Sequence, residues 1–175
     1  MSPRLLQGPF PVSRAAWLTV ALACGGLIGL ALYFQSRDGL DPCPLCIFQR
    51  VAYLVAAAVA LVAAGHGPGR RAARVYASLL GVASLAGAGI AGRQVWLQHL
   101  PADRVPECGP GLEFMLEMYA PFDVVKRVLR GTGDCAKVDW TLLGFSMAEW
   151  SLACFIGLLL VCVLQFLATR HREWV

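Results

Sequence analysis

Charge is what this 175-residue chain has least of. It holds 15 Lys and Arg and 11 Asp and Glu, 15% of the residues, against 58% hydrophobic ones and a mean hydropathy of +0.62. A soluble globular domain is about half apolar and about a quarter charged. The charges also cluster: the 22 residues from Ala15 to Ser36, the 19 from Val51 to Gly69, the 18 from Val75 to Gly92 and the 20 from Trp150 to Thr169 contain none. A helix needs roughly 20 apolar residues to cross a hydrocarbon core of about 30 Å. The four windows therefore predict an all-α membrane protein, a bundle of four transmembrane helices at about 15–34, 46–64, 75–97 and 148–168. A water-soluble bundle is disfavoured, because these windows lack the polar cover its outer surface needs. The first window is too long for a cleavable signal peptide, and the rest of the chain is just as hydrophobic.

Other absences narrow the function. There is no zinc-finger spacing, recognition-helix pattern or aromatic–basic interleaving, so the net charge of +4 does not point to nucleic acid. With no internal repeat and no low-complexity tract, residues 1–175 read as a single domain. The cations instead mark topology. Arg4, Arg14, Arg70, Arg71, Arg74, Arg170 and Arg172, with only Glu173 opposing them, lie at the two ends and in the link around 65–74. The 98–147 segment carries five cations against seven anions. Basic flanks stay cytoplasmic, so both termini face the cytoplasm and the 35–45 and 98–147 segments face outward.

Along the chain, residues 1–14 with Pro9 and Pro11 read as a loose or interfacial tail. Gly25, Gly26 and Gly29 give the first span a small-residue pattern that permits close helix approach. The third span, rich in Ala, Gly and Ser, is expected at the centre of the bundle. In the long outward segment, Leu112–Tyr119 and Val124–Leu129 place apolar residues at helical spacing with charges between them. Short amphipathic helices are predicted there, lying on the outer leaflet or packed on the bundle's outer face.

Seven cysteines then divide by position. Cys24, Cys154 and Cys162 fall inside spans, where a neutral thiol packs as a small apolar group. Cys43, Cys46, Cys108 and Cys135 all fall on the outward side, where an even number of cysteines reads as disulfide chemistry. In Cys43-Pro44-Leu45-Cys46, Pro44 suits the first position of a helix, leaving Cys43 at the N-cap and Cys46 in the first turn. Free N–H groups and the positive dipole end favour a thiolate there. Arg50 follows Cys46 by one turn on the same face. An arginine at the apolar boundary needs a partner, such as a thiolate or an acceptor's carbonyl oxygen, or else snorkels to the lipid headgroups.

Cys108 and Cys135 sit among Pro106, Gly109, Pro110, Gly111, Gly131 and Gly133, a setting for a mobile disulfide or a structural staple. Two redox-capable pairs on one membrane face suit relay by thiol–disulfide exchange. Zinc is the competing chemistry for four thiolates, but structural sites use two close-spaced pairs or His-containing knuckles; no metal is expected. Covalent haem is disfavoured because Ile47 follows the pair where His is needed. His99, at the exit of the third span, either polarises a bound acceptor or is an interfacial histidine without that role.

With these residues in place, the chain resembles the disulfide bond formation protein B (DsbB) family of bacterial inner-membrane quinone reductases. The matching pieces run in order: Cys43-Pro-Leu-Cys46-Ile-Phe-Gln-Arg50, Gly92-Arg-Gln-Val-Trp-Leu-Gln98, Glu107-Cys108, Gly133-Asp-Cys135-Ala136 and Trp140-Thr-Leu-Leu-Gly144-Phe-Ser-Met147-Ala-Glu-Trp150. They cover roughly residues 12–170. The resemblance implies a thiol:quinone oxidoreductase that reoxidises a periplasmic, thioredoxin-like DsbA partner, with ubiquinone or menaquinone as acceptor and the redox cysteines on the periplasmic side. It implies that Cys108 takes the partner's thiol and Cys135 passes the oxidising equivalent to Cys43. Cys46 then faces the quinone, while Arg50 holds it and stabilises the Cys46 thiolate. Two departures stand out. The family's histidine near the third-span exit does not align cleanly with His99, and Gln49 stands where some members carry an acid. The alternatives are a paralogue serving a dedicated partner and a disulfide-stapled four-span scaffold of the tetraspanin type. A vitamin K epoxide reductase-like enzyme is a further one, although in that group the C-x-x-C comes near the last span.

Overall fold

The computed structural model describes residues 13–39 and 41–171, with the side chains of residues 102 and 168–171 left aside. The expected interfacial tail, and the C-terminal flank from residue 172, lie outside the described residues. Four long helices form the membrane part: α1 (Arg14–Asp38), α2 (Pro44–His66), α3 (Arg70–Gln98) and α7 (Met147–His171). All four are long and apolar enough to cross a membrane. Between α3 and α7 come a 3-10 turn (Ala102–Arg104), α4 (Leu112–Met118), α5 (Pro121–Arg130), α6 (Gly133–Ala136) and a two-stranded hairpin, β1 (Thr141–Leu142) with β2 (Phe145–Ser146). The fold class is as the charge-free windows predicted.

The helix ends follow local chemistry. The Ser13 side chain accepts the Ala16 N–H and starts α1, while Gly39 and Gly67 close α1 and α2 in the left-handed conformation that glycine adopts most easily. The hairpin turn places Leu143 and Gly144 at φ 56 and 84, both positive, as a tight two-residue connection requires. Ser146 and Glu149 then form a reciprocal cap on α7. The Glu149 carboxylate accepts the Ser146 N–H at 2.6 Å, and the Ser146 hydroxyl accepts the Glu149 N–H at 3.3 Å.

Packing runs α1 on α2, α2 on α3 and α3 on α7. Central placement of the Ala- and Gly-rich third span is therefore observed. The buried stripe of α2 is Ala52, Ala56, Ala60 and Ala63, and α3 answers with Ala73, Ala77, Ala83 and Ala91. Small faces let backbones approach where lipid offers no hydrophobic drive for association. The Gly25–Gly29 pattern does not serve this purpose. Those glycines are exposed, and a Cβ on any of them would meet nothing within 4 Å; the close approach is instead at Gly87, where a Cβ would overlap the ring of Phe155 on α7.

A second buried cluster caps one end of the bundle. Leu45, Leu97, Met115, Val124 and Val128 surround Cys43 and Cys135. The predicted amphipathic helices are thus α4 and α5, packed onto the bundle through Met115, Val124 and Val128. Phe114, Leu116, Met118 and Phe122 remain exposed on them, with Phe122 at 80%. This is the apolar face a helix presents to a lipid interface.

Candidate functional site

The site begins at the start of α2. Cys43 is the N-cap, and its sulfur accepts the Cys46 N–H at 3.3 Å; Pro44 fills the next position, where its missing N–H costs nothing. The first turn brings the Cys43 and Cys46 sulfurs to 2.7 Å. Cys43 is buried and Cys46 half-buried, and both line a cavity of about 330 Å³ between α1, α2, α7 and the segment leading into β1.

Cys135 comes to this pair from 89 residues downstream. The connection is built from α3: the Arg93 guanidinium donates to the carbonyl oxygens of Leu129 at 3.3 Å and Arg130 at 2.7 Å, a cation at the C-terminus of α5. Gly131 at φ +78 then turns the chain against Leu97, and Gly133 lies so close to the Pro106 carbonyl that a Cβ would sit 2.7 Å from it. The Gly133 N–H donates to the Glu107 carbonyl oxygen at 3.1 Å. These contacts seat α6 so that Cys135, fully buried, touches Cys43.

The electrostatics follow from that contact. The Cys43 thiol donates to the Cys135 sulfur, and N–H groups from the Thr132 and Leu45 backbone add to it, so Cys135 is lowered from the ordinary thiol value to about 6 against the opposing effect of burial. The Cys135 and Cys46 sulfurs, either of which its single S–H can face, together with burial, hold Cys43 far above the ordinary range. Within the cluster Cys43 is therefore the group that holds its proton, facing the sulfur of Cys135.

Cys108 is exposed and lies against the same segment: its sulfur would be 3.2 Å from a Cβ on Gly133, and its thiol hydrogen-bonds Asp134. Lys137, 2.9 Å from Asp134, together with that thiol holds the Asp134 carboxyl below its usual range. Cys43, Cys46, Cys108 and Cys135 are thus arranged as a series. Cys108 is at the surface, Cys135 beneath it, then Cys43, then Cys46 at the cavity wall.

Arg50 also lines the cavity, one turn beyond Cys46, and its Nη1 donates to Gln35 Oε1 on α1 at 2.6 Å. It is neither bonded to the Cys46 thiol nor left to snorkel; a glutamine from the neighbouring span supplies the partner. His99 is mostly exposed at the end of α3, outside the cavity lining. Its Nδ1 donates to the Val95 carbonyl at 2.9 Å, and its Nε2 is 3.8 Å from Glu149. Cys24 and Cys162 pack in the membrane core as expected, whereas Cys154 also reaches the cavity wall. A second, open hollow of about 580 Å³ beside Gly29 and Tyr33 touches none of the cysteines.

Set beside known proteins, residues 13–165 match the family described as disulfide bond formation protein DsbB. The chain belongs to the DsbB family. A relative from Methylococcus capsulatus is 51% identical over 156 residues, covering 89% of this chain and 95% of the relative. One from Chromobacterium violaceum is 46% identical over 160 residues, covering 91% and 96%. One from Acinetobacter baumannii is 51% identical over 147 residues, covering 82% and 86%. Each bears the name disulfide bond formation protein B. As a DsbB-family member with four membrane-length helices, the chain is a multi-pass membrane oxidoreductase of disulfide bond formation.

Three residues of the site were not singled out from sequence as binding or catalytic, although Gln49 and Gln94 lie within the stretches 43–50 and 92–98 that carry the family resemblance. Gln94 on α3 places its Nε2 3.2 Å from the Cys46 sulfur and 3.4 Å from that of Cys43, and its Oε1 accepts from Gln49 Nε2 at 2.6 Å. Gln35 is the third. The available signal was their type: an uncharged amide in a membrane helix is costly unless partnered, so each marks a place where helices meet around something polar.

Proposed function

We propose that this protein is a thiol:quinone oxidoreductase of the bacterial inner membrane, reoxidising a DsbA-like periplasmic dithiol protein and so sustaining disulfide bond formation. The observation that carries the proposal is the position of Cys43, in contact with both Cys46 and Cys135 on the wall of a cavity within the membrane part. In this reading both termini are cytoplasmic and the four cysteines periplasmic, as the basic flanks require.

The exchange steps follow from the series. A thiolate of the partner attacks Cys108 in a Cys108–Cys135 disulfide, and Cys135 leaves as a thiolate, which the backbone N–H groups of Thr132 and Leu45 face. The partner's second thiol closes its own disulfide and releases Cys108. The Cys135 thiolate then attacks Cys43 in a Cys43–Cys46 disulfide and frees the Cys46 thiolate at the cavity wall. Cys108 in turn attacks the Cys135–Cys43 bond, restoring the outer disulfide and releasing Cys43, so that Cys43 and Cys46 are left as a dithiol whose two electrons and two protons a quinone in the cavity would take up as their disulfide re-forms.

The cavity fits a quinone ring. Its volume is at the lower end of the roughly 300–1,000 Å³ of small-molecule sites, enough for a headgroup. Leu27, Ile28 and Phe34 supply an apolar wall, and Arg50, on the wall with Cys46, supplies a cation to face a carbonyl oxygen. Ubiquinone or menaquinone held there by Arg50 and the apolar wall would supply a two-electron, two-proton acceptor for each partner dithiol. His99 enters only at the rim, where with Glu149 it spans the outer ends of α3 and α7.

Cys46→Ser tests the proposal. The variant is expected to lose quinone reduction while still trapping the partner through Cys108 as a mixed disulfide visible on a non-reducing gel. Quinone reduction at the wild-type rate would refute the assignment.

A further inference from the structure

From sequence, stabilising the Cys46 thiolate falls to Arg50, yet the side chain within hydrogen-bond reach of the sulfurs is a buried amide. We propose that Gln94 is a catalytic residue that donates its amide N–H groups to whichever sulfur of the Cys43–Cys46 pair is anionic, and that Gln49 is the positioning residue that keeps it turned that way. The proposal rests on the thiol:quinone reading and deepens it.

Three observations carry it. First, Gln94 is 4% exposed and Gln49 5% exposed, each on a membrane helix, where an unpartnered amide is expensive. Second, Gln94 Nε2 lies 3.2 Å from one sulfur and 3.4 Å from the other. A primary amide carries two N–H groups, so one nitrogen can serve both sulfurs. When the disulfide opens, a thiolate on either side meets a donor already in place and no side chain has to move. Third, Gln94 Oε1 accepts the Gln49 Nε2 at 2.6 Å, the shortest of these contacts. Turned the other way, Gln94 would aim at a thiolate the carbonyl oxygen that now accepts from the Cys46 thiol at 3.6 Å, and Gln49 would have to turn with it to keep the bond between the two amides. Gln49 thus sets the orientation from α2 while Gln94 acts from α3. Arg50 gives one Nη1 hydrogen bond to Gln35 and keeps its other N–H groups for the acceptor's side of the cavity.

The test uses the full-length, detergent-purified protein, reduced and freed of quinone. The rate of Cys46 alkylation by iodoacetamide is followed by mass spectrometry, with Cys108 as an internal control. Gln94→Met keeps length and volume without a donor, and is expected to slow Cys46 at pH 7 by about tenfold, the effect of losing one hydrogen bond to a charged group. Gln49→Met is expected to slow it by a smaller factor, since the amide can still swing into place. Both deficits should close near pH 10, where the thiol ionises unaided, and Cys108 should be unchanged. A Gln94→Met rate within twofold of wild type at pH 7 would overturn the proposal. So would a deficit that persists at high pH, which means lost access, or one that Cys108 shares, which means loosened structure. Quinone reduction by the wild-type protein is measured alongside. Its absence would defeat the thiol:quinone reading itself, a result distinct from any change in alkylation.

Discussion

A thiol that alternates between leaving group and nucleophile needs its anion near neutral pH, and Cys135 obtains it from its neighbours. The Cys43 thiol is the main cause of its lowered value of about 6. The sign is direct: a depressed thiol is a thiolate above its value and loses reactivity as pH falls through it. In the reduced protein, Cys135 alkylation is expected to be flat from about pH 9 to about pH 7, halve near pH 6 and fall about tenfold per unit below. Cys43→Ala should move the midpoint up toward the ordinary value of about 8.5. A wild-type midpoint near the ordinary value would show that Cys43 does not donate to Cys135. At this scale the cysteines were legible from spacing, because Cys43-Pro44-Leu45-Cys46 carries its own helix start. Gln94 was not: it meets Cys46 from 48 positions away, across two helices, and one polar residue in a long apolar helix has no period to announce its partner.

Among the helices, the close contact between α3 and α7 depends on Gly87, where any Cβ would overlap the Phe155 ring, itself stacked on Tyr53 with centroids 4.1 Å apart. Gly87→Val is expected to force the helices apart and cost about 1–3 kcal/mol, the usual range for overpacking, read as a lower melting temperature in detergent. Gly25→Ala, in open space, should leave it unchanged. Equal effects would mean that the α3–α7 contact is not close-packed there. The windows without charge were enough to count the helices, since length and apolarity decide what can span lipid. They could not set the ends. α3 starts at Arg70, where the sequence reading began the span near Val75, because arginines continue a helix into the headgroup layer as readily as alanines do. Nor could they say which small residues face a neighbour, since the same small-x-x-x-small spacing is exposed at Gly25–Gly29 and buried at Ala83, Gly87 and Ala91.

For the molecule as a whole, the architecture separates two ends. Arg14 and Gly67 meet at one, where the guanidinium would lie 2.7 Å from a Cβ on the glycine, and the cysteine series occupies the other. Charge asymmetry made that division readable before any coordinates. The sequence left open whether Cys108 and Cys135 form a staple or a relay, because seating Cys135 on Cys43 depends on Arg93, Gly131 and Gly133 acting together from distant stretches. The central claim is the path from an external dithiol through that series to a quinone. It is tested most directly by mixing purified protein with a reduced thioredoxin-like dithiol protein and a soluble quinone analogue, then measuring quinol formed, partner disulfide formed and bound metal together. The expected result is catalytic turnover with one quinol per partner disulfide. One equivalent of bound zinc with no quinone reduction would contradict it.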